Sequence, residues 1–209
     1  YIAVEFASIF LGVGVETTLS YRGEHLLREF DADLGKFLGE EMTKKGVKVL
    51  LRSQVRSIER GGEGLLCAMA DGSSIETDAV MFATGRMPNT RDLGLEAAGV
   101  ELDRNGAVIV GDNFQSSVPS IHAIGDVINR LQLTPVALAE GMVIVDRLFG
   151  KGERRMAYTN IATAIFSNPP VGTVGLSEAR AREQHGDIAI YRSSFTPLAL
   201  LLSWIVDGH

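Results

Sequence analysis

At 209 residues, with 45% apolar and 22% charged side chains, the chain has an ordinary globular composition that supports a buried core in one large domain or two small ones. Its 20 lysines and arginines against 26 aspartates and glutamates give a formal charge of -6, which argues against a general nucleic-acid surface. A single cysteine, Cys67, excludes a cysteine-rich metal site, and the absence of a long apolar run excludes a membrane span, so a cytoplasmic protein is predicted.

The first segment, YIAVEFASIFLGVGV, is predicted to be a helix that ends near Gly12 and Gly14. A strand over residues 15–21 follows, because VETTLSY carries β-branched alternation. Tyr1 is not a methionine, and this kind of fold rarely opens on a helix without a strand before it. The chain is therefore predicted to be a fragment that is truncated at both ends.

The middle of the chain is predicted to hold one more helix and a set of short strands. Residues 34–45 are amphipathic and stop at Gly46, and residues 47–60 form two short strands. A hairpin turns at Asp71 and Gly72, and the apolar run 79–85 is a last strand that enters a glycine. This order is typical of a nucleotide-binding α/β unit whose first strand is missing.

The second half is predicted to contain strands at 107–110 and 120–127, followed by a helix over about 135–149. Residues 151–155 form a charged link. From residue 158 onward the pattern alternates strand, loop, short helix and strand, which indicates the start of a different α+β domain.

Two arginines follow the predicted strand 15–21. In a dinucleotide-binding turn, G-x-G-x-x-G/A, the third position is small, as Ala3 is here, and the residue that contacts the adenosine ribose lies about 20 positions later, at Tyr21 and Arg22. An acid there would repel a 2'-phosphate, whereas Arg22 and Arg28 offer paired donors to one. The pattern favours NADPH. The alternatives are that Ala3 is only a packing residue and that both arginines are ordinary surface residues.

Four segments in order, YIAVEFASIFLGVGVETTL, ATGRMPNT, AIGDVINRLQLTPVALAEG and FSNPPVGTVGLSEA, resemble the class I flavoprotein disulfide reductases over residues 1 to about 197. The resemblance implies an α/β fold, with FAD and NADPH as cofactors. It implies a Rossmann-like NADPH-binding domain with an antiparallel meander over residues 1–86. A return to the FAD-binding domain follows at 87–150, and the start of an α+β dimerisation domain at 151–209.

The resemblance assigns roles on the nicotinamide side. Tyr1 resembles an aromatic lid over the nicotinamide pocket, and Ile2 lines that pocket. Glu5 is similar to a carboxylate that pairs with a lysine of the missing FAD domain beside the flavin. Gly85 and Arg86 resemble a glycine turn and a second cationic contact along NADPH. Otherwise Tyr1 is a core aromatic, Glu5 a solvated helix residue, Gly85 a strand end and Arg86 an exposed side chain.

The resemblance also assigns roles on the flavin side. Asp126 is similar to the acid that accepts a hydrogen bond from a ribityl hydroxyl, although it could equally cap a turn. Thr134 stands where a backbone N–H and a helix N-terminus face the flavin. Gln132 and Leu133 are expected to border the nicotinamide, and Ala164 to lie near the cofactor.

The arginine pair and the segment FSNPPVGTVGLSEA favour the members that reduce glutathione disulfide, as homodimers. Mercuric and trypanothione reductases remain alternatives, while dihydrolipoamide dehydrogenases normally carry an acid where Tyr21 stands. The catalytic dithiol and the acid-base histidine of the family have no match here, so the isolated chain is expected to be inactive. Met142 stands where a basic residue near glutathione is common, and the pattern is lost after Pro197. A non-catalytic fragment or an interaction module is the competing interpretation.

Overall fold

A computed structural model describes residues 1–62 and 64–195. Its elements, in chain order, are α1 (Ile2–Gly12), β1 (Thr18–Tyr21), α2 (Ala32–Lys45), β2 (Lys48–Leu51), β3 (Val55–Gly61), β4 (Gly64–Met69), β5 (Ser74–Thr77), a 3-10 helix (Gly125–Ile128), α3 (Thr134–Phe149), β6 (Thr163–Ile165), β7 (Val171–Thr173) and α4 (Glu178–His185). The final part of the chain, including the predicted change of pattern after Pro197, lies outside the described residues.

The first unit is a parallel strand pair with a helical crossover. β1 and β2 pair in register from Thr18 opposite Lys48 onward, and α2 connects them. The Asp31 side chain caps the N-terminus of α2 by accepting from the Asp33 N–H, and Gly46 ends the helix in the left-handed region at φ 112°. Leu38 of α2 is fully buried. The predicted helix stop and the strand-helix-strand order are confirmed.

The meander is an antiparallel sheet in the order β3-β4-β5. Gly72 adopts a φ of 88° in the turn between β4 and β5, which confirms the predicted hairpin turn. Cys67 is buried in β4 and faces Ile75 of β5. The lone cysteine is therefore a packing residue of this sheet.

Four predicted strands are wrong, one of them the strand predicted after the short helix α4, where residues 186–195 form no strand. Residues 79–85 form no strand, since no described strand pairs with them, and Phe82 is 67% exposed. Residues 107–110 and 120–127 form only two isolated bridges, Leu102 with Val108 and Gln115 with His122. The second of these segments ends in the 3-10 helix instead, because Gly125 takes a φ of 67° and turns the chain. A short apolar run does not by itself specify a hydrogen-bonded strand partner.

Two buried clusters hold these elements together. One joins α1, β1, α2 and the β6–β7 hairpin, and its fully buried members include Leu38 and Ile165. The other surrounds Phe114 and includes Ile128 of the 3-10 helix and Val143 of α3. Because Ile165 packs in the first cluster, β6 lies against the opening helix although some 160 residues separate them in sequence. None of the helices in the described ranges is long and apolar enough to cross a membrane.

Candidate cofactor-binding site

The beginnings of α1 and α3 meet. The Tyr1 hydroxyl donates to the Gln132 carbonyl at 3.5 Å, and the Gln132 amide donates to the Asn129 side chain at 3.1 Å. Leu133 precedes α3 in an extended conformation, and Thr134 is its first residue. No side chain caps this N-terminus in the part of the chain that the structure describes. Pro135 has no N–H, and the Val136 and Ala137 N–H groups donate to the Leu133 carbonyl, so within the described residues the Thr134 N–H is the group of this first turn without a partner.

The segment after β6 contacts the first turns of α1. The Glu5 carboxylate accepts from the Phe166 N–H at 2.9 Å, and the Ser8 hydroxyl oxygen accepts from the Asn168 N–H at 3.0 Å. Ala164 of β6 lies two residues before Phe166 and is exposed. Glu5 was predicted to pair with a lysine beside the flavin, and within the described residues its partner is this backbone N–H.

The small residue Ala3 and its neighbour Ile2 sit differently in this helix. Ala3 packs against the first buried cluster, while Ile2 is half-buried. A small side chain lets the helix approach the β-strand layer closely, as the third position of a dinucleotide-binding turn requires. The same packing is also what a purely structural alanine would show.

Arg86 and Asp126 are brought together from positions 40 residues apart. The guanidinium donates to the Asp126 carboxylate at 2.5 Å, and the two side chains are 51% and 42% exposed. Gly85 precedes this arginine at a φ of 135°, with no atom within 4 Å of the position a Cβ would take. The glycine is therefore required by the backbone angle and not by lack of space.

The loop after β1 displays its arginines to solvent. Arg22 and Arg28 are exposed, and Arg28 forms an ion pair with Glu29 at 3.0 Å. Arg22 has no ion-pair partner within residues 1–62 and 64–195. Leu26 and Leu27, between the two arginines, are buried and anchor the loop on the first cluster. The loop therefore has an anchored backbone and two exposed arginines, of which Arg28 is paired with Glu29.

Sequence reasoning missed a buried acid beside this site. Glu140 of α3 is completely buried and accepts hydrogen bonds from the Gly125 N–H and the Tyr158 hydroxyl, each at 2.6 Å. The available signal was a charged residue inside the apolar run VALAEG, on the helix face that the apolar spacing assigns to the core.

Two family models match the chain. The model described as pyridine nucleotide-disulphide oxidoreductase matches residues 1–141, and the model of the dimerisation domain of the same proteins matches residues 161–203.

Relatives of known function are similar along almost the whole chain. The glutathione reductase of Burkholderia cepacia is 45% identical over 203 residues, which are 97% of this chain and 45% of the relative. The trypanothione reductase of Trypanosoma congolense is 40% identical over 202 residues, 95% of this chain and 41% of the relative. The chain thus spans less than half the length of the curated relatives it matches.

Solved structures agree with these relatives. The HOCl-induced flavoprotein disulfide reductase RclA from Escherichia coli superposes with a TM-score of 0.84 at 30% identity, covering 90% of this chain and 43% of that one. LpdA from Mycobacterium tuberculosis superposes with a TM-score of 0.78 at 28% identity. The motif-based resemblance is confirmed by sequence and by structure.

Proposed function

The chain belongs to the pyridine nucleotide-disulphide oxidoreductase family, and we propose that it is the NADPH- and FAD-contacting part of a reductase that acts on glutathione disulfide. The net reaction converts glutathione disulfide, NADPH and a proton into two glutathione molecules and NADP⁺. The observation that carries the proposal is the junction where α1, α3 and the segment after β6 meet, because it gathers Tyr1, Glu5 and Gln132 in one place.

The flavin side of this junction fits FAD. The N-terminus of α3 is uncapped within the described residues, and its dipole favours an acceptor or a developing negative charge. Thr134 would donate its backbone N–H there, with Pro135 suited to the first turn. The Asp126 carboxylate, bound to Arg86 on one side and 42% exposed, retains acceptor capacity for a ribityl hydroxyl. When bound, FAD supplies two-electron transfer between NADPH and a disulfide.

The nucleotide side fits NADPH. Arg22 and Arg28 would hold the 2'-phosphate by charge-assisted hydrogen bonds, and Gly85 would allow the backbone close to the cofactor. Tyr1 would cover the nicotinamide pocket until the nucleotide enters, with Ile2, Leu133 and Ala164 along its walls. Glu5 would pair with a lysine beside the flavin, and its contact with the Phe166 N–H holds the carboxylate in place.

Electron transfer to the substrate needs a pair of thiols that this chain does not contain. Its one cysteine, Cys67, is buried in the meander, so it is not an exposed nucleophile. The dithiol therefore belongs to the parts of the relatives that the chain does not span. The match to a dimerisation domain supports a homodimer as the working state, and we place the enzyme in the cytoplasm.

Trypanothione disulfide is the second candidate substrate. The chain is 40% identical to the Trypanosoma congolense enzyme, only slightly less than to the Burkholderia cepacia enzyme. Met142, on the exposed side of α3, replaces the basic residue that is common near glutathione. Trypanothione disulfide is less anionic than glutathione disulfide, so its binding would weaken less when that basic residue is replaced.

A graft distinguishes these substrates. Residues of this chain replace the matching 203-residue segment of the Burkholderia cepacia glutathione reductase, with the unmodified enzyme as the control. We expect a yellow protein that oxidises NADPH with glutathione disulfide within about tenfold of the control, a loss of about 1.4 kcal/mol in transition-state stabilisation at most. Faster turnover of trypanothione disulfide would favour the second candidate, and a folded graft without flavin would contradict the proposed function.

A further inference from the structure

Glu140 is the only charged residue among the fully buried ones in residues 1–62 and 64–195. It forms no ion pair within those ranges, although burying an uncompensated carboxylate is costly. Both of its oxygens instead accept short hydrogen bonds, one from the Gly125 N–H and one from the Tyr158 hydroxyl, each at 2.6 Å. These two hydrogen bonds to a charged group offset part of that cost and hold the carboxylate in one position.

The first partner joins Glu140 to the cofactor site. Gly125 directly precedes Asp126 and takes a φ of 67° at the start of the 3-10 helix. The turn lies so close to α3 that a Cβ on Gly125 would meet the Ala137 Cβ at 3.1 Å. The hydrogen bond from the Gly125 N–H to the Glu140 carboxylate therefore holds the turn that contains Asp126 against α3, the helix that begins at Thr134.

The second partner, Tyr158, connects Glu140 indirectly to the cation of Arg130. Arg130 donates to the Tyr158 hydroxyl at 3.2 Å and to the Val110 carbonyl at 3.1 Å. Because a guanidinium only donates, the Tyr158 proton is left to bind Glu140. The Arg130 guanidinium also lies 5.5 Å from the Phe114 ring centre and 5.6 Å from that of Tyr158, so its position is fixed on both sides.

The outer end of this network is open. Phe114, Arg130 and Tyr158 line a cavity of about 420 Å³ together with Asp112, Arg155 and Met156. Burial and the hydrogen bond to Glu140 raise the pKa of the Tyr158 hydroxyl, in keeping with a phenol that remains a donor. At the other end of the network, Glu140 is closed to bulk solvent, because it has no exposed surface.

We propose that Glu140 is a positioning residue for FAD, which it acts on through the Gly125–Asp126 turn, while Tyr158 donates to its second oxygen and is itself held by Arg130. The proposal rests on the proposed function for the identity of the cofactor. The placement of the turn is a separate matter that can be measured without FAD.

Hydrogen exchange in the chain itself tests the placement. Glu140→Ala removes the acceptor, so we expect the Gly125 amide to exchange about 10- to 100-fold faster, the range set by a hydrogen bond to a charged group. The Ala137 amide, bonded to the Leu133 carbonyl within α3, should change by less than about threefold. Tyr158→Phe keeps the ring and should produce a smaller increase at Gly125, and it serves if Glu140→Ala does not fold. Unchanged Gly125 exchange in both variants would overturn the proposal.

Flavin binding in the graft tests whether Glu140 positions FAD. Glu140→Gln should release FAD about tenfold more readily than the parent graft, measured by recovery of flavin fluorescence, while Glu59→Gln on the exposed face of β3 should match the parent. Equal flavin affinity in the Glu140 variant would overturn the cofactor role. If the parent graft holds no flavin while Gly125 exchange still depends on Glu140, the proposed function fails and the placement is supported.

Discussion

Arg22 and Arg28 are exposed on a loop whose two leucines are buried, so both guanidinium groups face solvent, Arg28 paired with Glu29, while their backbone is anchored. Replacing both with glutamine in the graft should weaken NADPH binding at least about 100-fold, because each charge-assisted hydrogen bond contributes about 1.5–3 kcal/mol. NADH lacks the 2'-phosphate and should lose less than about threefold. Titration of both nucleotides measures the difference, with Arg56→Gln on β3 as the control. Equal losses for NADPH and NADH would contradict the phosphate clamp.

The Arg86–Asp126 ion pair is half-exposed, so its contribution to stability should be small despite the 2.5 Å separation. Asp126→Asn should lower the free energy of unfolding by less than about 1 kcal/mol, as is usual for such pairs. Its effect should instead be on FAD, because an amide is a weaker acceptor for a ribityl hydroxyl than a carboxylate. Urea unfolding and flavin release, measured on the same graft, separate the two effects. A large stability loss with unchanged flavin binding would show that Asp126 is only structural.

At the scale of elements, α2 packs against the loop after β1 that carries Arg22 and Arg28. A Cβ on Gly35 would lie 1.9 Å from the Leu26 carbonyl oxygen, whereas one on Gly39 would lie 3.7 Å from the Leu26 side chain. Gly35→Ala should therefore displace the loop, costing about 1–3 kcal/mol of stability and part of the NADPH affinity. Gly39→Ala is the matched control and should gain about 0.5–1 kcal/mol from helix propensity. Thermal unfolding and NADPH titration measure both variants, and similar behaviour of the two would refute the contact.

Asp31 links the N-termini of two helices. Hydrogen bonds from the Glu178 N–H and then the Asp33 N–H lower the pKa of its carboxyl below the ordinary value. A lowered folded pKa stabilises the protein above the unfolded value of about 3.9, and this stability is lost as pH falls through the folded pKa.

Asp31→Asn keeps a capping oxygen but does not titrate. Its unfolding midpoint in urea should therefore decline less than the parent's between about pH 6 and about pH 3. Asp78→Asn, on an exposed residue, should follow the parent. Parallel profiles for Asp31→Asn and the parent would show that this carboxylate does not couple α2 to α4.

For the molecule as a whole, the proposed cofactor site comes without a pair of thiols, since the chain has one cysteine. The purified chain should show no NADPH oxidation above background with glutathione disulfide, because its one cysteine is buried and a disulfide exchange cycle needs two thiols. A spectrophotometric assay with added FAD measures this, with the graft as the positive control. Turnover by the chain alone would require a different electron path from the one proposed here.

Local signals in the sequence determined the helices and turns. α2 follows from an amphipathic run that ends at Gly46, and the β4–β5 turn from Asp71 and Gly72, because caps and left-handed turns depend on residues close in sequence. The ordered motifs determined the family for the same reason: each is a short local segment. The residues for the cofactor site were also named from sequence, and their roles remain predictions.

Only the tertiary structure decided which of these residues meet. Glu5 contacts a backbone N–H 161 positions away, and Arg86 contacts an acid 40 positions away. The two oxygens of Glu140 accept hydrogen bonds from two separate segments. The strands predicted at 79–85, 107–110 and 120–127 failed because a strand exists only through its hydrogen-bonded neighbour, which local pattern does not specify. The physical reason is that helices and turns close their hydrogen bonds within a few residues, whereas the Glu5 contact, the Arg86–Asp126 ion pair and the hydrogen bonds of Glu140 are completed by distant parts of the chain.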